Sequence, residues 1–342
     1  MSDYRGRFVW HELLTTVPKA AGAFFSKIIG WKTQPWGTDG SYTLFVSGSR
    51  QLAGLMVLPE DAKKMGAPPN WLTYVGTTDV DETARLATSL GARVLKAPED
   101  IPGAGRFAVL QDPQGATFGI YKSHQSPAGD AVPVVGDFSW HELATTDAKA
   151  ALGFYQRLFG WEETSAMDMG EMGVYQMFGQ SKQGRTLGGL FNKPSQMPGP
   201  PAWVAYIKVP DARKTADAIK KAGAKVINGP MEVPGGDWIA QGIDQQGAMF
   251  AVHSAVAAAP AAATAAPAKA SRKAAAKKKP AAKKKAASNK AAPRKKAASR
   301  KKAAPRKKAA KKSAARAKSA RKTPKKSATK KAAAKGKKGR RK

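Results

Sequence analysis

Residues Phe138–Thr145, Phe-Ser-Trp-His-Glu-Leu-Ala-Thr, alternate in character and are rich in β-forming side chains, which predicts a strand. The spacing then changes. Ala148, Ala151, Leu152, Tyr155, Leu158 and Phe159 recur at helical intervals, with Thr146-Asp147 as an N-cap pair and Gly160 to close the helix. Short strands follow the same change of period at residues 8–30, around Tyr42–Val46 and Leu52–Leu58, and Pro18 takes an early helical position where its missing N–H costs nothing. The pattern restarts at Trp71–Gly76, with a helix over Val80–Leu90 and strands around Arg93–Lys96, Arg106–Leu110 and Thr117–Tyr121. The unit is βαβββ, and it occurs four times.

These units belong to a tandem duplication. Phe8-Val-Trp-His-Glu-Leu-Leu-Thr-Thr16 returns as Phe138-Ser-Trp-His-Glu-Leu-Ala-Thr-Thr146, and Gly30-Trp31 returns as Gly160-Trp161. Further along, Trp71, Tyr74, Asp112 and Phe118 return as Trp203, Tyr206, Asp244 and Phe250. The expected architecture is α+β: two tandem domains at 1–124 and 137–254, joined by a Gly/Pro-rich linker at 125–136. Each domain is two βαβββ modules forming a curved mixed sheet, with helices outside and a concave face inside.

Charge separates a third region. Of 59 Lys and Arg, 35 lie in residues 255–342, which hold no Asp or Glu, so the remaining 24 basic residues balance the 24 acidic ones. The net charge of +35 therefore belongs to an 88-residue tail. The tail has one Val and no larger apolar or aromatic residue, so composition predicts that it stays disordered. The chain has no Cys, which removes disulfides, thiolate ligands and cysteine nucleophiles. No long apolar run predicts a membrane span, and the expected location is cytoplasmic.

The motifs at 140–161, Trp-His-Glu-Leu-x-Thr-Thr-Asp-x-x-x-Ala-x-x-Phe-Tyr-x-x-x-Phe-Gly-Trp, and at 112–118, Asp-Pro-Gln-Gly-Ala-x-Phe, resemble the vicinal oxygen chelate superfamily. The closest likeness is to its two-domain glyoxalase, bleomycin-resistance and hydroxylase-like branch. The resemblance implies metal-ligand positions on the first, fourth, fifth and eighth strands of a domain. In the first copy these fall on Trp10, Gly54, Leu72 or Thr73, and Gly119; in the second, on Trp140, Gly189, Val204 or Ala205, and Ala251. None is a good divalent-ion ligand, so no metal and no cofactor is expected, and glyoxalase I chemistry is disfavoured.

His11 and His141 lie one residue off the first-strand position, which turns them to the opposite face and gives them a structural reading. Glu12 and Glu142 share a face with Trp10 and Trp140, where a carboxylate beside an aromatic ring could act as a general base. His253 joins them as a catalytic candidate that could pair with Glu142. Trp10, Trp71, Trp140, Trp203, Tyr74 and Tyr206 are the expected lining of an aromatic ligand pocket for a small molecule.

The tail repeats too. Ala-Ala-Pro/Ser-Arg-Lys-Lys recurs three times, presenting Arg294, Lys295, Lys296, Arg300, Lys301, Lys302, Arg306, Lys307 and Lys308. Composition and repeat resemble linker-histone C-terminal tails, and Thr323-Pro-Lys325-Lys326 resembles their Ser/Thr-Pro-Lys-Lys element. With 35 positive charges the tail could neutralise about 60 Å of duplex, against a flexible reach of about 50 Å. Without aromatic residues it should contact the backbone of DNA or RNA with little base selectivity. The expected protein is nucleoid-associated, its body binding a small molecule or partner. A lyase, dioxygenase or hydroxylase tethered by the tail and a sequestering protein for a DNA-damaging drug are the alternatives.

Overall fold

The computed structural model describes residues 4–255 apart from 39 and 126–130. Where the spacing changes after Thr15, strand β1 (Phe8–Thr15) gives way to helix α1 (Pro18–Ile29). Gly30 ends the helix in a left-handed conformation, φ 89°, which a side chain would disfavour. The chain continues through β2 (Lys32–Trp36), β3 (Tyr42–Ser47), β4 (Arg50–Val57), α2 (Glu60–Lys64), β5 (Asn70–Gly76), α3 (Val80–Ser89), β6 (Arg93–Ile101), β7 (Gly105–Gln111) and β8 (Thr117–Ser123). The second copy repeats the series as β9 (Phe138–Thr145), α4 (Ala148–Phe159), β10 (Glu162–Asp168), β11 (Val174–Gly179), β12 (Thr186–Asn192), β13 (Ala202–Lys208), α5 (Ala212–Lys221), β14 (Lys225–Glu232), β15 (Trp238–Ile243) and β16 (Met249–Ser254). The Asp147 carboxylate accepts from the Ala150 N–H, which caps α4.

Each copy forms one eight-stranded mixed sheet, ordered β2-β3-β4-β1-β5-β8-β7-β6 and β10-β11-β12-β9-β13-β16-β15-β14. Strand β1 runs parallel to β4 and antiparallel to β5, so Glu12 lies beside both Gly54 and Leu72. The second sheet repeats this register, with Glu142 between Gly189 and Val204. Edge strands β2 and β10 escaped the sequence reading for a physical reason. All five residues of β2 are exposed and one is Pro35, so no buried alternation marks it.

Helices α1, α3, α4 and α5 cover one face of each sheet, and the covered faces meet, whereas the short α2 packs Ala62 on the other face of the first sheet, against Leu14, Leu72 and Tyr74. One core joins α3 and the strands around it, through Val75, Ala108 and Phe118, to Leu152, Tyr155 and Trp203 of the second copy. The other joins Phe24, Phe25 and Trp71 of the first copy to Ile207, Ile219 and Phe250. Each half of the duplication thus completes the other's core.

At one matched position the two cores differ by a hydroxyl, Tyr155 against Phe25. In the first, Tyr155 donates to Asp112 Oδ2 (2.9 Å) and accepts from Trp203 Nε1 (3.0 Å). The duplication places Phe25, Asp244 and Trp71 at the matching positions. Asp244 Oδ2 and Trp71 Nε1 are buried there without a hydrogen-bond partner. Tyr155→Phe should therefore cost about 2–4 kcal/mol by stranding two buried groups, whereas Phe25→Tyr should stabilise by about 1 kcal/mol. Urea unfolding of the two variants checks both signs.

Candidate functional site

Strand alternation brings Trp10, Glu12 and Leu14 to the face of the first sheet opposite the shared cores and sends His11 and Leu13 to the other side. Glu12 is 9 % exposed and accepts from two phenols: Tyr42 to Oε1 (2.7 Å) and Tyr74 to Oε2 (3.0 Å). Trp10 Nε1 in turn donates to the Tyr42 hydroxyl (3.1 Å). The second sheet builds the same clasp. Tyr175 and Tyr206 donate to Glu142 at 3.0 and 2.9 Å, and Trp140 Nε1 donates to Tyr175 at 2.9 Å. Gln241 is an addition in this copy, its Nε2 donating to Glu142 Oε1 (3.2 Å) and to the Tyr206 hydroxyl (2.6 Å).

The small residues among the expected ligand positions make room for this clasp. A Cβ on Gly54 would collide with the Tyr42 ring, one on Gly119 with Tyr74, and one on Gly189 with Tyr175. On the same face of the first copy the half-buried side chains of Trp10, Met56, Phe107, Val109 and Tyr121 pack against Leu14, Leu72 and Tyr74; in the second, Trp140, Ile239 and Met249 pack against Val204 and Tyr206. Burial pushes both glutamate pKa values up, and the phenol donors pull them part of the way back. Burial, the neighbouring glutamate and the phenols' own donation to it push the clasping tyrosines up as well, so they stay protonated donors.

This donor set does not fit a divalent ion. A carboxylate with both oxygens already accepting from hydroxyls, and glycine or alanine at two of the other expected positions, offers too few ligands. Among the described residues no group of three or more His, Cys, Asp or Glu converges.

Other candidates lie elsewhere. Trp71 and Trp203 sit on the helix-facing side, packed in the two shared cores. They cannot line a pocket with Tyr74 and Tyr206, because residues three apart on a strand face opposite ways. The suggested Glu142–His253 pair is also not assembled. Glu142 is level with Val204 and His253 with Lys208, four residues along β13 and about 13 Å by strand rise. His253 instead bonds Asp237 Oδ2 (2.8 Å) and the Ser139 hydroxyl (3.0 Å). The sequence reading missed Tyr42 and Tyr175, although both stand at matching places ahead of β4 and β12.

His11 and His141 meet end to end where the halves join, Nε2 to Nε2 at 2.8 Å, and each stacks on a phenylalanine of the other copy: His11 on Phe138 (3.7 Å) and His141 on Phe8 (3.5 Å). His141 Nδ1 lies 3.3 Å from the Leu187 carbonyl, to which it can only donate. Its Nε2 is then the acceptor, and His11 Nε2–H the donor. The tail residues from Arg294 to Lys326 lie outside the described residues. Among the described residues, no helix is long and apolar enough to cross a membrane.

The comparisons agree with this architecture. The profile described as Glyoxalase/Bleomycin resistance protein/Dioxygenase superfamily matches residues 137–252, and the Glyoxalase-like domain profile matches 10–121. CFP32 of Mycobacterium bovis, named as a glyoxylase, is 32% identical over 257 residues, covering 73% of this chain and 96% of the relative. The anthracycline biosynthesis protein DauV of a Streptomyces species is 28% identical over 268 residues, covering 75% and 96%. The 2,2',3-trihydroxybiphenyl 1,2-dioxygenase of Sphingomonas wittichii shares the fold, with a TM-score of 0.51, 12% identity, and 73% and 90% coverage. Two matched halves and a relative covered almost end to end place this chain in the glyoxalase/bleomycin resistance protein/dioxygenase superfamily.

Proposed function

We propose that the body is a metal-independent binding module whose two concave faces each take a flat, largely apolar small molecule, and that residues 255–342 hold it on nucleic-acid backbone. One observation carries the reading of the body: on each face a carboxylate clasped by two phenols, buried in the first copy and half-buried in the second, shares the surface with half-buried aromatic and aliphatic side chains. An apolar surface with a few convergent polar groups suits a planar ligand with one hydrogen-bonding edge. The relatives named for anthracycline biosynthesis make a polycyclic aromatic the natural probe.

Titrating the full chain with a soluble anthraquinone should quench tryptophan fluorescence saturably, since Trp10 and Trp140 border the two faces. The double variant Trp10→Leu, Trp140→Leu should lose most of the saturable signal; unsaturable quenching in the wild type would remove the reading.

General acid–base chemistry at Glu142 is a second reading, favoured by its raised pKa and by the additional Gln241 donor. On that reading, Glu142→Gln would abolish turnover while leaving binding intact.

A further inference from the structure

Three polar side chains of the second copy, Ser139, His253 and Asp237, stand outside the glutamate clasp and are joined in series. The Ser139 Oγ lies 3.0 Å from His253 Nδ1, and His253 Nε2 lies 2.8 Å from Asp237 Oδ2. An ionised carboxylate only accepts, so in a neutral ring Nε2 carries the proton and Nδ1 turns its lone pair to the Ser139 hydroxyl. The hydroxyl's other contact, with the Tyr206 carbonyl, is longer at 3.4 Å. A serine whose proton an imidazole can take, the ring being oriented by a carboxylate, is an activated nucleophile. Either ring nitrogen can serve as the base, provided the other holds the carboxylate.

The fold sets each of the three in place. Phe138 is level with Ile207 and Trp140 with Tyr206, so Ser139 is the extra residue of a β-bulge and has no register partner on β12 or β13. From there its hydroxyl reaches past β13 to His253 on β16. His253 is level with Ile239 on β15, and Asp237, two residues before Ile239, is its diagonal neighbour. The turn between β14 and β15 fixes Asp237, whose carbonyl accepts from the Val233 N–H at 2.8 Å.

The scaffold does not require this series. Val9, Tyr121 and Gly105 stand at the matching positions of the first copy, which forms the same sheet order and the same bulge without it. All three side chains are half-buried, which leaves them within reach of a substrate. Ser139 also lines a cavity of about 250 Å³ where the halves join, with apolar walls from Phe8, Val9, Phe138 and Leu187. That is smaller than the ~300–1,000 Å³ of drug-sized sites and suits a short acyl chain.

We propose that Ser139 is the nucleophile of an esterase site for short-chain acyl esters, with His253 as general base and Asp237 as the residue that positions the ring. Ser139 Oγ attacks the ester carbonyl carbon while its proton passes to His253 Nδ1. The bond from that carbon to the alcohol oxygen breaks, and the alcohol leaves with the proton. Water then attacks the acyl-serine and gives a proton to Nδ1, which returns it to Ser139 Oγ as the carboxylic acid departs. The proposal does not rest on what the concave faces bind.

The full chain treated with diisopropyl fluorophosphate should carry an adduct on Ser139, located by peptide mass spectrometry, as Oγ displaces fluoride. It should also hydrolyse p-nitrophenyl acetate. Ser139→Ala should abolish the adduct and the Ser139-dependent hydrolysis; Ser139→Val, which installs the first copy's residue, serves if Ser139→Ala does not fold. His253→Gln should slow both reactions by about 100-fold or more. Asp237→Asn should lower kcat for the ester without raising KM, and Asp237→Glu should recover part of the loss. The basic tail is the same in every variant, so acylation of its lysines contributes equally. No adduct on Ser139 in the wild type, equal rates in the wild type and His253→Gln, or an unchanged kcat in Asp237→Asn would overturn the proposal.

Discussion

Removing residues 255–342 should abolish binding to duplex nucleic acid at moderate salt, and the intact chain should bind with a steep salt dependence. The segment carries 35 positive charges and no negative ones, whereas the rest of the chain is balanced. If about ten phosphates are engaged, raising salt from about 50 to 200 mM should weaken affinity by roughly five orders of magnitude through lost counterion release. With no aromatic residue in the segment, single-stranded and duplex probes of different sequence should compete according to charge density. Gel shifts of the full chain and of 1–254 across a salt series measure both effects; equal binding by the two proteins would exclude the tail as the contact.

The second large effect lies at the junction of the halves. Burial lowers the His11 pKa well below its ordinary value, with a smaller contribution from His141. Burial also lowers His141, to about 3, with Arg185 adding to the effect and the Leu187 carbonyl opposing it. The folded chain therefore keeps both rings neutral where the unfolded chain begins to protonate them. Stability from this source is fully present above about pH 6.5 and is lost as pH falls towards the folded pKa, at about 1.4 kcal/mol per pH unit for each ring. For His141 alone the loss between pH 6.5 and 5 is about 2 kcal/mol.

Glu12 and Glu142, with raised pKa values, titrate in the opposite sense, because protonation on acidification favours the folded form. The histidine contribution is therefore read as a difference from the double variant His11→Gln, His141→Gln, which keeps hydrogen-bonding groups at the junction but does not titrate. The wild type's stability relative to this variant should shrink steadily as pH falls from 6.5 to 5. Parallel pH profiles would show that the pair does not stay neutral in the folded state. At neutral pH, His141→Leu should cost about 1–3 kcal/mol, because the His11 Nε2–H loses its buried acceptor.

The repeated strands, helices and caps were legible in the sequence because burial on one face imposes a period, and because Gly30, Gly160 and Asp147 mark helix ends by local chemistry. The duplication placed Glu12 and Glu142 on one face with Trp10 and Trp140. Two things stayed hidden. Which side of the sheet meets the other half depends on contacts far apart in sequence, so the reading grouped Trp71 with Tyr74 although the cores separate them. Tyr42 and Tyr175 reach their glutamates across one intervening strand, over glycines whose absent side chains look like lost ligands until the rings above them are seen.

The most direct test of the concave-face account is anthraquinone binding to the full chain with and without a strong chelator, alongside elemental analysis of the protein. Clasped carboxylates that bind through phenols and apolar side chains predict saturable binding of equal affinity in both conditions and no stoichiometric metal. Stoichiometric Ni, Zn, Fe or Mn that is lost on Glu142→Ala, together with binding that disappears on chelation, would contradict it.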